Sequence, residues 1–430
     1  VSEHTGVNNV VLSPDDPDIM YITTEQRRRR TQIRIGGGPE SNVYKSTDGG
    51  QNFRKLTSGI PNVDKGGMGI AVSPVDPNVV YLMVEAAMGK GGFFRSTDRG
   101  ESFKKMSDYN TSGQYYGEIY CDPKDVDIIF ATETRSKYTE DGGKTWKNVS
   151  THHRHVDDHA MWIDPTDTDH YMIGGDGGVY ETFDRGKHFI HKTGIPVTQF
   201  YRVNVDNTEP FYFVYGGTQD NSSLGGPSGS LYSDGISRAE WVITLGGDGF
   251  WQAIDPNDPN IVYSEYQYGN VSRHDKQSGE NTNIKPRERL GEEMYKWNWN
   301  APMILSKHKN TRLYMAANKV FKSDDRGNTW EVISDDISAG IPRDTWPVMD
   351  RFWSVDAIDK NVSTSLYGTA VALAESPVNE KILFAGTDDG VLSITEDMGI
   401  TWRQISTFPN VPEYTYISDI RPSKHDDNTV

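Results

Sequence analysis

The chain has 430 residues, which is enough for one or two compact bodies with sizeable cores. Its formal net charge of −17 at pH 7 argues against a nucleic-acid partner, because a groove that follows phosphates needs the opposite balance. No apolar run in the sequence reaches the roughly 18 residues that a membrane-spanning helix requires, so no transmembrane segment is expected.

Composition and cysteine content indicate a turn-rich fold without disulfide bonds. The sequence contains 42 glycines, 21 prolines and 22 tyrosines, which is typical of short strands joined by many turns. The single cysteine, Cys121, has no partner in the chain with which to form a disulfide. The chain starts at Val1 with neither methionine nor signal peptide, so we expect a mature protein or a fragment.

The strongest pattern is a repeated hairpin motif, the Asp-box: Ser/Thr-x-Asp-x-Gly with an aromatic residue three positions later. The first copies recur at intervals of about 43 to 50 residues, which matches one four-stranded propeller blade. Each aspartate is expected to accept hydrogen bonds from the amides of its own turn, while the glycine adopts a positive φ. The aspartates are therefore predicted to be structural; they are Asp48, Asp98, Asp141, Asp184, Asp325 and Asp397.

A second pattern marks the start of each blade: an apolar strand, a Pro/Asp turn and a second strand. Clear copies occur at residues 13–17, 73–77 and 255–259. Nine starts fit in the chain, the ninth incomplete, and the interval from Asp184 to Asp325 leaves room for two blades without a box. The patterns predict an all-β fold of four-stranded Asp-box β-propeller blades, forming parts of two tandem propellers or, alternatively, one eight-bladed ring.

A domain boundary is predicted near Gly194-Ile195-Pro196, where the blades change character. The four blades before it all carry the box, whereas the next two lack it and contain Gly/Ser-rich insertions such as residues 222–229. We therefore expect residues 1–195 to form the C-terminal part of a first propeller. Residues 196–430 are expected to form a second propeller that is truncated at its C-terminus.

The best candidate site is His155-x-Asp157-x-His159. It is predicted to lie in the innermost strand of its blade, where alternate residues share a face. Two imidazoles and a carboxylate on one face suit a metal site or an acid/base cluster, and the alternative is a polar network that caps the propeller channel. Asp176, in a glycine-flanked bend of the same blade, is expected near Asp157, and such a carboxylate pair suits glycoside hydrolysis. Turn closure is the structural alternative for Asp176.

Further residues are candidates for ligand binding. Gln219, Asp220 and Asn221 follow one another at a strand end, where they suit sugar hydroxyls or a calcium shell. Asp248 lies in another glycine-flanked bend, which would let a backbone approach a ligand closely. We expect that no cofactor is required, although these oxygen-rich groups are compatible with calcium or another divalent ion.

Two more motifs have both structural and functional interpretations. Trp297 and Trp299 alternate with asparagines, which predicts a strand whose tryptophan face either packs between blades or stacks on a sugar ring. Arg27–Arg30 is the one basic run in this acidic chain, and it predicts a solvated loop, an anion clamp or a dock for acidic residues of the neighbouring propeller.

The boxes and several longer stretches resemble exported bacterial proteins labelled BNR/Asp-box "glycosyl hydrolases" or sortilin-like (VPS10-type) proteins. The stretches that carry this resemblance are residues 26–30, 155–165, 174–178, 199–201, 216–221, 246–250 and 412–416. The resemblance implies two tandem propellers in a longer parent chain with further blades before Val1. It also implies a secreted, periplasmic or outer-surface protein. Neither the arginine triad and tyrosine of sialidases nor the acid/base aspartates of xyloglucanases can be assigned to residues here.

Two functions remain open from the sequence. The first is a non-catalytic propeller that binds a glycan, a peptide or a surface protein, in association with further blades of the parent chain. The alternative is a glycoside hydrolase of the xyloglucanase or sialidase kind, with paired carboxylates in a cleft on the propellers or between them. The sequence contains no phosphate-binding loop, no dinucleotide fingerprint after a strand and no Gly-x-Ser-x-Gly, so phosphoryl transfer, redox and serine-hydrolase chemistry have no support.

Overall fold

A computed structural model describes residues 1–195 and 197–430. The predicted all-β fold is confirmed: these residues form a β-propeller protein with eight four-stranded antiparallel sheets, the blades, and one two-stranded sheet. The described part contains no α-helix, only the 3₁₀ turns Ala87–Gly89, Arg238–Glu240 and Arg343–Thr345. None of these helical segments has the length and apolar character needed to cross a bilayer.

The first compact unit comprises Val1–Pro196 and Thr345–Val362. It holds four blades, each of which pairs its four strands in chain order, and a small sheet of β3 and β4 inserted in the first blade. The strands are β1 (Thr5–Leu12), β2 (Met20–Gln26), β3 (Arg28–Arg29), β4 (Arg34–Ile35), β5 (Val43–Ser46), β6 (Arg54–Leu56); β7 (Lys65–Val72), β8 (Val80–Ala86), β9 (Gly92–Ser96), β10 (Lys104–Ser107); β11 (Ile119–Cys121), β12 (Ile129–Ala131), β13 (Lys137–Thr139), β14 (Lys147–Asn148); β15 (Asp158–Ile163), β16 (Tyr171–Gly175), β17 (Gly178–Thr182) and β18 (Ile190–His191).

The second compact unit comprises Val197–Asp344 and Ser363–Val430, and it also holds four blades. Its first two blades occupy the interval in which the sequence shows no Asp-box. The strands are β19 (Arg202–Val205), β20 (Phe213–Gly217), β21 (Ser223–Pro227), β22 (Val242–Leu245); β23 (Gly249–Ile254), β24 (Ile261–Tyr266), β25 (Asn270–Asp275), β26 (Asn281–Asn283); β27 (Met303–Leu305), β28 (Leu313–Ala316), β29 (Val320–Ser323), β30 (Glu331–Val332); β31 (Ala370–Glu375), β32 (Leu383–Thr387), β33 (Leu392–Thr395) and β34 (Arg403–Ile405).

Apolar side chains pack consecutive blades against each other. In the first unit, Tyr21 and Val43 of the first blade share one buried cluster with Ile70 and Leu82 of the second. The second strand of six blades carries a tyrosine that is fully shielded from solvent. Burying a large apolar side chain stabilises a fold by about 1.5–3 kcal/mol. These buried side chains therefore hold neighbouring blades of a unit in place, including those that carry the candidate site. The six tyrosines are Tyr21, Tyr81, Tyr171, Tyr215, Tyr263 and Tyr314.

The six Asp-box hairpins share one hydrogen-bond pattern. At Asp98, Oδ1 accepts from the Ser96 hydroxyl at 2.6 Å and from the Ser102 amide at 2.9 Å. The Gly100 amide donates to the same Ser96 hydroxyl at 2.8 Å. These local donors lower the pKa of Asp98 to about 2, against the opposing effect of burial. The same contacts recur around Asp48, Asp141, Asp184, Asp325 and Asp397.

Each box turn holds two successive residues in the left-handed region, where the sequence analysis expected only the glycine. The residue after the aspartate has a φ of 57° at Arg99, 62° at Arg326 and 62° at Met398. These side chains carry a Cβ in a conformation that favours glycine. The hydrogen bonds of the turn therefore hold non-glycine residues in a strained backbone conformation.

One segment of the chain departs from the predicted domain boundaries. The predicted second body spans residues 196–430, but residues 345–362, which we call the strap, belong to the first compact unit. Val348, Met349 and Trp353 of the strap form a buried cluster with Ile33 and Ile35. Of the predicted boundary residues, Pro196 lies outside the described part of the chain.

Candidate functional site

The candidate residues of the first unit lie at one end of its blades. In every blade the first strand runs antiparallel to the second, so the start of the first strand lies beside the end of the second. In the fourth blade this brings Asp158, at the start of β15, opposite Gly175 at the end of β16. In the first blade it brings Gly6 opposite Glu25. We call this end of the first unit the strand-end face.

The prediction that His155, Asp157 and His159 share one strand face is wrong. Strand β15 begins only at Asp158, and Asp157 before it has a left-handed φ of 66°. The pairing register also shifts between Asp158 and Ala160, so strand alternation does not apply here. His155 Nδ1 lies 2.6 Å from the carbonyl oxygen of Val156. Among the described residues, the ligand atoms of the three side chains do not converge as a metal site requires.

The carboxylates of Asp157 and Asp176 lie close together, as predicted, although residues 155–157 do not belong to a strand. One carboxylate oxygen of each lies within 4.8 Å of the other, and both residues are half-buried. The Asp176 amide donates to the Asp157 carbonyl oxygen at 3.1 Å. The Asp157 amide donates in turn to the carbonyl oxygen of Thr134 at 2.9 Å. Backbone hydrogen bonds therefore fix both residues at the strand-end face.

Two side chains orient these carboxylates. The Tyr116 hydroxyl donates to Asp157 Oδ1 at 2.6 Å, and His159 Nε2 lies 3.1 Å from Asp176 Oδ1. The rings of Tyr116 and His159 stack, with centroids 5.3 Å apart and an angle of 14° between their planes. Burial and the hydrogen bond to Asp157 raise the pKa of Tyr116, so its hydroxyl stays protonated and can donate. Tyr116 joins the two carboxylates into one polar cluster.

Sequence reasoning missed Tyr116 and the buried ion pair next to the cluster. Tyr116 belongs to the connection between β10 and β11, which carries no motif that could have marked it. Asp158, fully buried, accepts from Arg154 Nη1 at 2.5 Å and Nη2 at 3.0 Å and from the Ser136 hydroxyl at 2.6 Å. A bidentate pair of this kind fixes orientation as well as charge. It therefore anchors the segment that carries Asp157 and His159.

The glycines around Asp176 serve the packing of the chain on itself. A Cβ on Gly175 would overlap the carbonyl oxygen of Asp157, and one on Gly177 would overlap the side chain of His155. The close approach that the sequence analysis assigned to a ligand is thus made by residues 155–157. The glycines place this segment on the β16–β17 hairpin, and Asp176 forms part of its turn.

The polar candidates of the second unit order a loop. Buried Asp248 accepts from the Asp220 amide at 2.9 Å, and burial raises the pKa of Asp248. Asp220 has a left-handed φ of 60°, which the hydrogen bond to Asp248 helps to hold. The Tyr201 hydroxyl donates to the side-chain oxygen of Gln219, and the Asn221 amide donates to the Gln219 carbonyl oxygen at 2.8 Å. These contacts order the loop that carries the four candidates.

The predicted strand at Trp297-Asn298-Trp299-Asn300 is also wrong, because residues 293–298 adopt no regular structure. Trp297 is only 6% exposed and stacks on Phe321, with ring centroids 5.4 Å apart. Its faces are therefore used in the core and cannot stack on a sugar. Trp299 is partly buried and packs edge-on against Tyr268 at 5.2 Å.

Comparison with known proteins gives two curated relatives, while no family model matches the chain. An oligoxyloglucan-reducing end-specific xyloglucanase from Emericella nidulans is 25% identical over 211 residues, or 44% of this chain and 24% of the relative. A xyloglucanase from a Paenibacillus species is 23% identical over 352 residues, or 75% of this chain and 31% of the relative. The chain thus spans about a quarter to a third of the length of these relatives. It is similar in sequence to glycoside hydrolases.

Solved structures of such enzymes also match. A GH74 enzyme from Niastella koreensis is 15% identical with a TM-score of 0.34, and the match covers 95% of this chain and 67% of that one. A GH74 xyloglucanase from Xanthomonas campestris is 14% identical with a TM-score of 0.33, and the match covers 92% and 52% of the two chains.

Proposed function

We propose that this chain binds a polysaccharide at the strand-end face of the first unit and hydrolyses a glycosidic bond there with Asp157 and Asp176. The observation that supports this function is the carboxylate pair, whose oxygens lie within 4.8 Å of each other. Retaining glycosidases hold their two carboxyl groups about 5–5.5 Å apart, and inverting ones leave a gap of about 6.5–9.5 Å for water. The proximity of the two carboxylates is compatible with the retaining arrangement, in which one of them acts as nucleophile. The similarity to two xyloglucanases supports a glycan substrate.

The contacts of the two carboxylates suggest different roles. Asp157 accepts a short hydrogen bond from Tyr116, which orients its carboxylate for the role of nucleophile. Asp176 Oδ1 lies 3.1 Å from His159 Nε2, and this pair would protonate the leaving oxygen. In the first step the glycosidic C–O bond breaks, the anomeric carbon bonds to Asp157, and the proton passes to the leaving oxygen. Water then attacks the anomeric carbon, releases Asp157 and returns a proton to Asp176.

The test is release of reducing sugar from a panel of plant and bacterial polysaccharides. Asp157→Asn and Asp176→Asn should each lower turnover at least about 100-fold, because each removes one of the two reacting groups. Asp167→Asn is the matched control, since Asp167 lies in a surface turn of the same blade, where its carboxylate bonds the Asp169 amide. Hydrolysis that survives both active-site substitutions would contradict the assignment of these two residues.

A second candidate function, glycan binding without catalysis, is favoured by one observation. Both carboxylates already contact protein groups, Asp157 the Tyr116 hydroxyl and Asp176 the His159 ring. A polar network of this kind can present fixed acceptors to sugar hydroxyls without reacting. Binding of a glycan by the wild-type chain, with no product after prolonged incubation, would favour this function. Hydrolysis that is lost in Asp157→Asn would eliminate it.

We further propose that the chain is a BNR/Asp-box, sortilin-like propeller that acts outside the cytoplasm, where a peptide or surface protein is an alternative partner. The six boxes with their shared hydrogen bonds support the assignment, since six of the eight described blades carry this hairpin. Fractionation of the native host with an antibody against the chain tests the location. Recovery in the cytosolic fraction alone would contradict it.

A further inference from the structure

A groove of about 350 Å³ lies at the strand-end face of the first blade, and neither Asp157 nor Asp176 lines it. Gly6, Val7 and Asn8 of β1 line it together with Glu25 and the residues Arg27–Arg29. The basic run that stands out in the sequence therefore forms one side of a concave surface. The proposed hydrolysis makes no use of this groove.

The arginines of the groove differ in how far they are already engaged. Arg28 Nη2 lies 3.2 Å from His4 Nδ1, and Arg29 Nη1 donates to the Tyr115 hydroxyl at 3.0 Å. The guanidinium of Arg27 has no hydrogen-bond partner among residues 1–195 and 197–430, and its nearest carboxylate oxygen, Oε2 of Glu25, is 4.0 Å away. The guanidinium N–H groups of Arg27 can therefore donate hydrogen bonds to a ligand in the groove. Three adjacent arginines in a chain of net charge −17 create a local attraction for anions.

Glu25 supplies a second unsatisfied group at the same place. It is 8% exposed, and its Oε1 atom has no hydrogen-bond partner within the described part of the molecule. Burial raises the pKa of Glu25 to about 7, against the nearby positive charges of Arg27 and Arg34, and Asp359 raises it further. Glu85 on the neighbouring blade also interacts electrostatically with Glu25. In weakly acidic solution Glu25 is therefore a neutral O–H donor.

The opposite wall leaves room for a ligand. Gly6 pairs with Glu25 across β1 and β2, and a Cβ placed on Gly6 would meet no atom within 4 Å. Asn8 has no partner in the β1–β2 register, which shifts between Val7 and Asn9. Bulges of this kind redirect a strand edge and are common beside binding sites. The groove is consequently open and polar along the strand edge.

We propose that this groove binds a carboxylate-bearing sugar, such as a uronic acid residue of an acidic glycan. The planar fork of Arg27 matches a carboxylate with two parallel hydrogen bonds, and the Glu25 hydroxyl donates to the same anion or to an adjacent sugar oxygen. The open wall at Gly6 accommodates the ring. The inference rests on the proposed function only in taking the ligand to be a glycan, and it adds a charged substrate class.

The test is calorimetric binding of a galacturonate trimer at pH 6 and low salt to the full chain carrying Asp157→Asn, which prevents cleavage. Arg27→Ala should weaken binding about 10- to 100-fold, because it removes the charged hydrogen bonds to the carboxylate. Arg30→Ala is the matched control, since it removes the same charge from the same run but does not line the groove. A neutral trimer that binds as tightly, or equal effects of the two substitutions, would overturn the proposal.

Two more variants test the groove itself. Wild-type affinity should fall as pH rises through 7, because ionised Glu25 repels the ligand, and Glu25→Gln should keep its affinity at pH 8. Gly6→Leu should weaken binding by at least about 10-fold by filling the open wall without a clash. A Glu25→Gln variant with the wild-type pH profile, or full affinity in Gly6→Leu, would count against the site.

These outcomes separate this proposal from the proposed hydrolysis. If galacturonate binding depends on Arg27 while no polysaccharide is cleaved, the groove stands and the catalytic assignment fails. If neutral polysaccharides are cleaved through Asp157 while galacturonate does not bind, the groove assignment fails and the hydrolysis stands.

Discussion

The outer Asp-box hairpins and the two glutamates of the strand-end face, Glu25 and Glu85, stabilise opposite protonation states of their carboxyl groups. At the hairpins, hydrogen bonds from the turn lower the pKa of Asp48 and Asp397 to about 2. At the strand-end face, burial raises the pKa of Glu25 and Glu85 to about 7. An exposed carboxylate surrounded by donors stays ionised, whereas a buried one without enough donors keeps its proton.

The two regions also differ in the sequence distance of their contacts. Every shared bond of a box joins residues no more than four positions apart, as from Asp98 to Ser102. At the strand-end face, Arg34 Nη2 bonds Asp359 Oδ2 at 2.7 Å, and the Gly36 amide donates to the Ile358 carbonyl oxygen at 2.8 Å. A hairpin can therefore form by itself, whereas the part of the face around Arg34 and Gly36 needs the strap to pack onto the first blade.

The largest expected change in the free energy of unfolding comes from replacing Arg34. Its side chain is fully buried, and Arg34→Ala would leave the Asp359 carboxylate in the strap without its cationic partner. Breaking a buried pair in this way costs about 3–5 kcal/mol in the free energy of unfolding. Denaturant unfolding followed by tryptophan fluorescence measures it. Arg30→Ala, at an exposed position of the same hairpin, should leave the midpoint unchanged, and a similarly small effect for Arg34→Ala would contradict the role of the strap.

The two glutamates and the Asp-box aspartates should affect the free energy of unfolding in two separate pH ranges. Because the folded-state pKa of Glu25 and Glu85 lies above the unfolded value near 4.5, the folded state binds more protons than the unfolded state between pH 4.5 and 7. Stability should therefore fall as pH rises through this window, by up to about 3 kcal/mol for a fully shifted group. The box aspartates have lowered pKa values, so their contribution is present above pH 4 and is lost as pH falls toward 2.

Unfolding midpoints measured from pH 3 to 8 test both windows. Glu25→Gln and Glu85→Gln should each flatten the decrease between pH 4.5 and 7 and leave the acid limb unchanged. A decrease of wild-type size in the double variant would show that other groups control this window.

The smallest expected effect comes from a single box aspartate. Asp98→Ala removes the acceptor of the Ser96 hydroxyl and of the Ser102 amide and hydroxyl. The hairpin is open to solvent, which replaces part of these bonds, so the expected loss is about 1 kcal/mol. Thermal unfolding measures it, with Asp108→Ala as a surface control that breaks only an exposed ion pair to Lys105. If the two variants unfolded at the same temperature, the Asp98 box would not contribute to stability.

Part of the candidate site could be expected from the sequence, and part could not. The Asp176 bend follows the His155–His159 segment within one blade, so its position near Asp157 required only blade topology. The strand prediction for that segment failed because Arg154 pairs with Asp158 and because Asp157 takes a left-handed φ. Tyr116 reaches Asp157 from a connection of another blade. No periodicity marks such a contact.

The sequence by itself determined the repeating blade, its turns and the aspartates of the outer hairpins, because their hydrogen bonds close within about five residues. Only the tertiary structure decided which acids lose contact with water, which lie beside each other and which part of the chain covers the first blade. The physical reason is that burial and pairing depend on segments far apart in the chain, such as Arg34 and Asp359. The groove of Arg27 and Glu25 likewise depends on the pairing of β1 with β2, which places Gly6 opposite Glu25.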